Sequence, residues 1–200
     1  MNRRLYAVLF SFATVGAVIS VVNAGLTKQA LAASPAAERD DVAAAAAFEA
    51  IVPVLRHPRC MNCHSVGDYP REGEDSHPHT MRVQRGIDGL GTSVLLCNSC
   101  HQDHNLDGLH SPPGARGVAF AAASGAYDLG RRSDHDLCEL LKDPKQNGGR
   151  SVEKIVEHIH TPLVLWGWNP GEDRKPIPLP QETFLKNVGE WVDKGSACPK

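Results

Sequence analysis

Apolar positions with helical spacing begin directly after residue 40. Asp40 and Asp41 can start a helix that continues through an alanine block to about residue 55. Its apolar face comprises Phe48, Ile51, Val52 and Leu55. Pro53 and Pro58 indicate an irregular end, because proline has no backbone N–H to donate to the helix. The pattern therefore predicts one long helix at the start of the folded part of the chain.

Three more helices are predicted in the last third of the chain. They span residues 133–142, 151–160 and about 181–194, and serine can cap the first two. Pro144 ends the first helix, and Gly195 ends the third. The inward positions of the second and third are Val152, Ile155, Val156, Ile159, Phe184, Val188, Trp191 and Val192.

The two remaining stretches, residues 64–96 and 104–132, show no sustained period and are predicted to be loops. Only 6% of all residues are aromatic, whereas glycine and proline number 18 and 14. So few large side chains can fill only a small hydrophobic core for a chain of this length. We therefore expect a mainly α, loop-rich fold that wraps around a large apolar group.

The N-terminus has the features of an export signal. A short basic region precedes the nearly continuous apolar stretch Leu5–Val22, and small-x-small cleavage sites follow at Val22-Asn23-Ala24 and Ala30-Leu31-Ala32. We predict a signal peptide over residues 1–32, a linker over 33–39 and one domain over 40–200, located in the periplasm. The alternative is an uncleaved anchor that keeps the protein at the membrane, because the apolar stretch is about long enough to cross a bilayer.

The formal net charge is −2 and the sequence pI is about 6.5. No basic surface is therefore expected for nucleic acid, and we predict no nucleic-acid partner.

Two CxxCH motifs carry the chemistry: Cys60-Met61-Asn62-Cys63-His64 and Cys97-Asn98-Ser99-Cys100-His101. Two residues between the thiols place them one helical turn apart, which suits thioether bonds to the two vinyl groups of a haem. The histidine that follows is then the proximal iron ligand. The sequence predicts two covalently bound c-type haems, attached at Cys60, Cys63, Cys97 and Cys100 and ligated by His64 and His101.

The motifs also fit two other kinds of site, a zinc site and a thiol redox site. The four cysteines could hold one zinc ion, but 33 residues separate the pairs, and both pairs carry the trailing histidine. A thiol redox pair is the second, but neither motif lies in a βαβ pattern.

The sixth iron ligand decides the properties of each haem. Outside the initiator and the first motif, Met81 is the one methionine, and we assign it to the haem at His64. The haem at His101 then needs a histidine or has an open site. We favour His158, followed by His110. The other candidates are His57, His77, His79, His135 and His160.

Several further side chains have predicted roles. Cys138 and Cys198 are left over once the haem motifs are assigned, and we predict a disulfide between them. Arg82, Arg85 and Arg150 are candidates to pair with haem propionates, with a solvated surface as the alternative. The apolar stretch 163–168, which contains two tryptophans, is predicted to be core or haem-pocket wall.

The order of short motifs over residues 55–199 resembles a family of small secreted di-haem c-type cytochromes, often labelled as an isoquinoline 1-oxidoreductase subunit. The matching pieces are His57-Pro58-Arg59 with the first motif, Gly67-Asp68-Tyr69-Pro70, His77-Pro78-His79-Thr80-Met81, Arg85-Gly86-Ile87-Asp88-Gly89, Cys97 to Gln102, Pro113-Gly114-Ala115, Leu141-Lys142-Asp143-Pro144, Asn147-Gly148-Gly149-Arg150, His158, Pro162 to Gly171 and Cys198-Pro199.

The resemblance implies an electron outlet for a molybdenum hydroxylase or a similar dehydrogenase. Met81 and His158 match family positions, and so do Cys138 and Cys198. Residues 118–125 depart from the family, which has an aromatic and proline-rich stretch with a methionine there. If that methionine ligates the second haem in relatives, the second site of this chain is altered or open.

We expect a cytochrome c-like helical fold and a periplasmic electron carrier rather than an enzyme. Its partners would be redox proteins, with a dehydrogenase as donor and a cytochrome or oxidase as acceptor. The alternative is a di-haem enzyme, of the peroxidase or thiosulfate dehydrogenase type, with one open or unusually ligated iron.

Overall fold

Helices from the two ends of the described chain form the core. The structure is a computed structural model that describes residues 38–87, 89–114, 129–171 and 173–200. The helices are α1 (Asp41–Leu55), α2 (Pro58–Met61), α3 (Asp134–Lys142), α4 (Val152–Ile159), α5 (Pro162–Leu165) and α6 (Gln181–Asp193). Short 3₁₀ turns cover Cys97–Ser99 and Trp166–Trp168. The expectation of a mainly α fold is confirmed.

The helix α1 begins where the sequence predicts, because the Asp40 carboxylate accepts the backbone N–H groups of Val42 and Ala43. Its predicted apolar face is confirmed, and Phe48 is fully buried. The helix also continues through Pro53 to Leu55. Proline is tolerated here because it lies in the last turn, where the loss of one hydrogen bond disturbs little of the helix.

The helix α6 packs along α1. The rings of Phe48 and Trp191 have centroids 5.3 Å apart and are tilted by 55°. Phe184, two turns before Trp191 in α6, packs against Trp168 with ring centroids 5.2 Å apart. The Trp168 indole Nε1 donates to the Leu179 carbonyl at 2.6 Å. The prediction that this tryptophan belongs to core or pocket wall is therefore confirmed for the core.

The helices α3 and α4 also match their predicted bounds. The hydroxyls of Ser133 and Ser151 accept the N–H groups of Asp136 and Lys154. The turn between these helices is organised by the fully buried Asn147. Its amide donates to the Leu141 and Arg150 carbonyls at 2.7 and 2.8 Å.

Most of the stretch between the two CxxCH motifs, residues 64–96, is irregular, as predicted. Two small antiparallel hairpins interrupt it. The first pairs β1 (Arg71–Glu72) with β2 (His77–Pro78), and the second pairs β3 (Gly91–Thr92) with β4 (Leu95–Leu96). Two-residue strands are too short to produce the alternation that identifies a strand in sequence.

Four predictions fall partly or wholly outside the described residues. They are the signal peptide over residues 1–32, most of the linker over 33–39, the stretch 118–125 that departs from the family, and part of the loop over 104–132. These stay predictions. Within the described ranges, no helix combines the length and apolar character needed to cross a membrane.

The predicted disulfide is confirmed. Cys138 of α3 and Cys198 after α6 are bonded, with their Cα atoms 5.6 Å apart and a sequence separation of 60. Neighbouring contacts hold the same junction: His135 Nδ1 donates to the Pro199 carbonyl at 2.6 Å, and Trp191 Nε1 donates to the Ala197 carbonyl at 3.2 Å. The C-terminus is therefore tied to α3 and α6.

Cys138→Ala together with Cys198→Ala should lower the free energy of unfolding by about 4 kcal/mol, because a long loop in the unfolded chain is no longer closed. Urea denaturation followed by circular dichroism measures this change. Val42→Ala is the control, since Val42 is 82% exposed on α1 and its truncation should cost no more than about 0.5 kcal/mol. Equal stability of the double variant and the parent protein would contradict the prediction.

Candidate functional site

The first CxxCH motif follows directly from the core. Helix α2 follows directly after α1. His57 caps its N-terminus, because its Nδ1 accepts the Arg59 N–H at 3.3 Å. The Cys63 and His64 N–H groups both donate to the Cys60 carbonyl, at 3.2 and 2.9 Å. These two hydrogen bonds close one turn, which gathers the two thiols and the histidine in space.

The second motif makes the same pair of backbone hydrogen bonds. The Cys100 and His101 N–H groups donate to the Cys97 carbonyl, again at 3.2 and 2.9 Å. The sequences around the two motifs do not repeat, and the elements that lead into them differ. The identical hydrogen-bond pattern therefore reflects the five-residue motif itself.

None of the four motif cysteines is joined in a disulfide. Burial raises the pKa of Cys60 to about 12 and that of Cys63 to about 11, and the next contributions come from Cys63 and Cys97, respectively. The contribution of Cys97 to Cys63 means that the two motifs are close in space. Within the described residues, no group of three or more His, Cys, Asp or Glu side chains is arranged to hold a metal ion.

His64 faces His158 from α4. Their ring centroids are 6.3 Å apart and the ring planes are nearly perpendicular, at 78°. Burial, followed by the charge of His158, lowers the pKa of His64 to about 4, and burial also lowers the pKa of His158. The sequence had assigned His158 to the haem at His101, whereas the structure brings it to the other motif.

His101 has a partner on each side. Its Nδ1 is 3.0 Å from the Pro113 carbonyl and must donate to it, because a carbonyl can only accept. This contact fixes the tautomer with a lone pair on Nε2, as is usual for metal-binding histidines. The His101 ring also faces His79, with centroids 6.5 Å apart and an interplanar angle of 67°.

His79 follows β2 and is held by backbone and side-chain contacts. Its N–H donates to the Pro70 carbonyl at 3.1 Å, and its carbonyl accepts the Arg82 N–H at 2.9 Å. The ring Nδ1 lies 3.4 Å from a Glu72 carboxylate oxygen. A carboxylate beside one ring nitrogen leaves the other for a metal.

Met81 lies two residues beyond His79 and is 61% exposed. Its backbone nitrogen lies 3.4 Å from His79 Nδ1, the same distance as the Glu72 carboxylate. The assignment of Met81 as an iron ligand at His64 stays a prediction.

The other histidines have different surroundings. His77 binds Asp75 and Glu72 through its two ring nitrogens, and the side chain of His110 is 86% exposed. His57 caps α2, His135 binds the C-terminus, and His160 Nδ1 donates to the Val156 carbonyl at 2.8 Å.

The predicted propionate partners differ in position. Arg85 is 5% exposed and its guanidinium donates to the Gly67 carbonyl at 2.6 Å. Both Arg85 and Arg150 lie close enough to His64 for their charge to lower its pKa. Arg82 is exposed and has a left-handed φ of 50°. Two of the three predicted arginines are thus near the first motif.

Most of the exposed large apolar side chains lie in the chain between the two motifs or shortly after the second. Among the large hydrophobic residues that are exposed in the described part of the chain, all but Val42 lie between residues 66 and 109. They are Val66, Tyr69, Met81, Ile87, Leu90, Val94, Leu96, Leu106 and Leu109. Such a concentration of exposed apolar surface usually marks the place where another group binds.

Asn105 is a structural residue of the site that sequence reasoning missed. Its Oδ1 accepts the Gly114 N–H at 2.8 Å and the Trp166 Nε1–H at 3.1 Å, and its Nδ2 donates to the Pro170 carbonyl at 2.8 Å. The side chain thereby holds Pro113, and with it the His101 ring, against the segment that contains Trp166. An asparagine in a loop gives no sequence signal for such a long-range role.

In comparisons with known proteins, the chain matches no family model and has no significant match among curated proteins or solved structures. The resemblance to small secreted di-haem cytochromes therefore stays a prediction.

Asn105→Ala should lower the free energy of unfolding by about 2 kcal/mol, because it removes three hydrogen bonds and leaves the Trp166 N–H without its acceptor. Urea denaturation measures the change. Asn169→Ala, the same substitution at an exposed position next to Pro170, should change stability by less than about 0.5 kcal/mol. Equal effects of the two substitutions would show that Asn105 does not organise the site.

Proposed function

We propose that this chain is an exported di-haem c-type cytochrome that carries electrons from a periplasmic dehydrogenase to a downstream cytochrome or oxidase. The observation that carries the proposal is the shared conformation of the two CxxCH turns. Each has two cysteines outside any disulfide and a histidine, gathered on one turn by the same pair of hydrogen bonds. This is the arrangement that thioether attachment and proximal ligation require.

The surroundings of the motifs fit a haem. A porphyrin is a large apolar plate with two carboxylates, so it needs apolar contacts and cations. The exposed apolar side chains of residues 66–109 supply the first. Arg85 and Arg150, both near His64, supply the second. A haem bound here would accept and release single electrons.

The closeness of the two motifs supports electron transport. Cys97 lies near enough to Cys63 to act on its pKa. Haems attached at these cysteines would therefore be neighbours, and an electron could enter at one and leave at the other. This arrangement suits a carrier that connects two redox proteins.

The Cys138–Cys198 disulfide supports the proposed location. Disulfides of this kind form in oxidising compartments such as the bacterial periplasm and are rare in the cytosol. The predicted signal over residues 1–32 points to the same compartment. Attachment of c-type haems also takes place there, so the export signal, disulfide and haem motifs agree.

Protein matured with a cytochrome c assembly system should carry two haems that remain attached after acid denaturation, as measured by mass spectrometry. Cys97→Ser with Cys100→Ser should leave one haem, because only the first motif then has thiols. Cys138→Ser with Cys198→Ser is the control and should keep both. A chain that carries zinc, or fewer than two covalent haems, would overturn the proposal.

Dithionite-reduced protein should pass two electrons per chain to an oxidised soluble cytochrome c in a stopped-flow spectrophotometer, and the process should be reversible. The same ferric protein should not consume hydrogen peroxide in the presence of an electron donor. Sustained peroxide turnover would favour the di-haem enzyme instead, because it requires an iron with an open or displaceable sixth position.

A further inference from the structure

We propose that each haem iron is ligated by two histidines. The first iron is bound by His64 and His158, and the second by His101 and His79. The inference rests on the proposed function, because it assigns the sixth ligand of each haem. It differs from the sequence-based assignment, in which Met81 ligates the haem at His64. Its basis is the pairing of each motif histidine with one other histidine.

The distance between the two ring centres in each pair suits one metal atom bound between the rings. Histidine nitrogens bind metals at about 2 Å, so two imidazoles on opposite sides of one iron, with half a ring added at each end, have centres about 6 Å apart. The two observed separations are 6.3 and 6.5 Å. Both pairs therefore have room for one metal atom between the rings.

The identity of the partners strengthens this interpretation. Aromatic contact alone covers the same range of distances. It does not explain why the partner is histidine in both pairs, since Phe, Tyr or Trp would pack with more apolar surface. Within the described residues, neither pair has the further His, Cys, Asp or Glu that an ordinary metal site would add. A haem needs none, because the porphyrin supplies the other four ligands.

The chain also orients the rings for ligation. Pro113 holds the Nδ1–H of His101, and Glu72 lies 3.4 Å from Nδ1 of His79. Both contacts engage the Nδ1 side and leave Nε2 for a metal. Glu72 is itself positioned by the Thr80 N–H, which donates to its carboxylate at 3.1 Å. This network belongs to the hairpin that carries His79.

Two different parts of the fold deliver the two sixth ligands. His158 lies in the last turn of α4, whose position is set by the buried Asn147 turn. His79 comes from the chain between the motifs, directly after β2. Met81, two residues away, is 61% exposed, and its backbone nitrogen lies 3.4 Å from His79 Nδ1.

The test is spectroscopic. The ferric protein should show two low-spin haems by electron paramagnetic resonance and no sulfur-to-iron absorption band at the red end of the spectrum. Nearly perpendicular imidazole planes give strongly axial low-spin signals, which we expect for both haems. A sulfur-to-iron band in the native protein that disappears in Met81→Ala would overturn the proposal.

The variants His158→Ala and His79→Ala should each convert one of the two haems to high spin, and added imidazole should restore it. His110→Ala is the matched control at an exposed histidine and should keep both haems low-spin. Low-spin signals that are unchanged in either His158→Ala or His79→Ala would refute that pair.

A second set of variants protects the test against misfolding. His158→Met and His79→Met each supply a sulfur ligand at the same place, so each should create the red-end band and raise the reduction potential of one haem. The haem count by mass spectrometry separates the two proposals. If the variants carry two covalent haems and their spectra match the parent protein, the ligand assignment alone is rejected. A chain without covalent haem would reject the proposed function as well.

Discussion

The packing of α1 on α6 is the constraint on which the rest of the structure depends. Phe48 and Trp191 form its centre, both nearly or fully buried. The Asp40 N–H donates to the Lys194 carbonyl at 3.0 Å, so the start of α1 is joined to the end of α6. With α1 packed along α6 and joined to it at its start, α2 and the first CxxCH motif follow from a fixed helix. The same contact sets the C-terminal turn, where Cys198 meets Cys138.

The second motif has a different basis. Its surroundings are loops with many exposed apolar side chains, and hydrogen bonds rather than a packed core hold them: Pro113 to His101, and Asn105 to Gly114 and Trp166. Hydrogen bonds of this kind each contribute only about 1 kcal/mol net. A haem that covered the apolar side chains would add several times that amount through burial, at about 25 cal/mol per Å². The cofactor is therefore expected to be part of the fold at this end of the molecule.

The sequence predicts the helices well because their signals are local. Ser133, Ser151 and Gly195 fix helix ends through contacts within four residues, and the CxxCH turn is contained in five. The histidine pairs are long-range and carry no such signal. Loop reach, with Met81 lying 17 residues beyond His64, favours Met81 as a ligand of that haem, and this stays a prediction. The small hairpin β1–β2 leads His79 to the second motif, where its ring faces His101.

The pairing of His79 with His101 has a structural consequence for both sites. The chain between the motifs starts at His64, carries His79 to the second motif and ends at Cys97, which lies near Cys63. One segment thus borders both proposed haems. Loss of either haem would therefore loosen the chain that also lines the other haem. If both irons bind two imidazoles, their potentials are lowered together relative to a thioether-ligated haem. Two neighbouring haems of similar potential share an electron readily, which is the property that a carrier between two redox proteins needs.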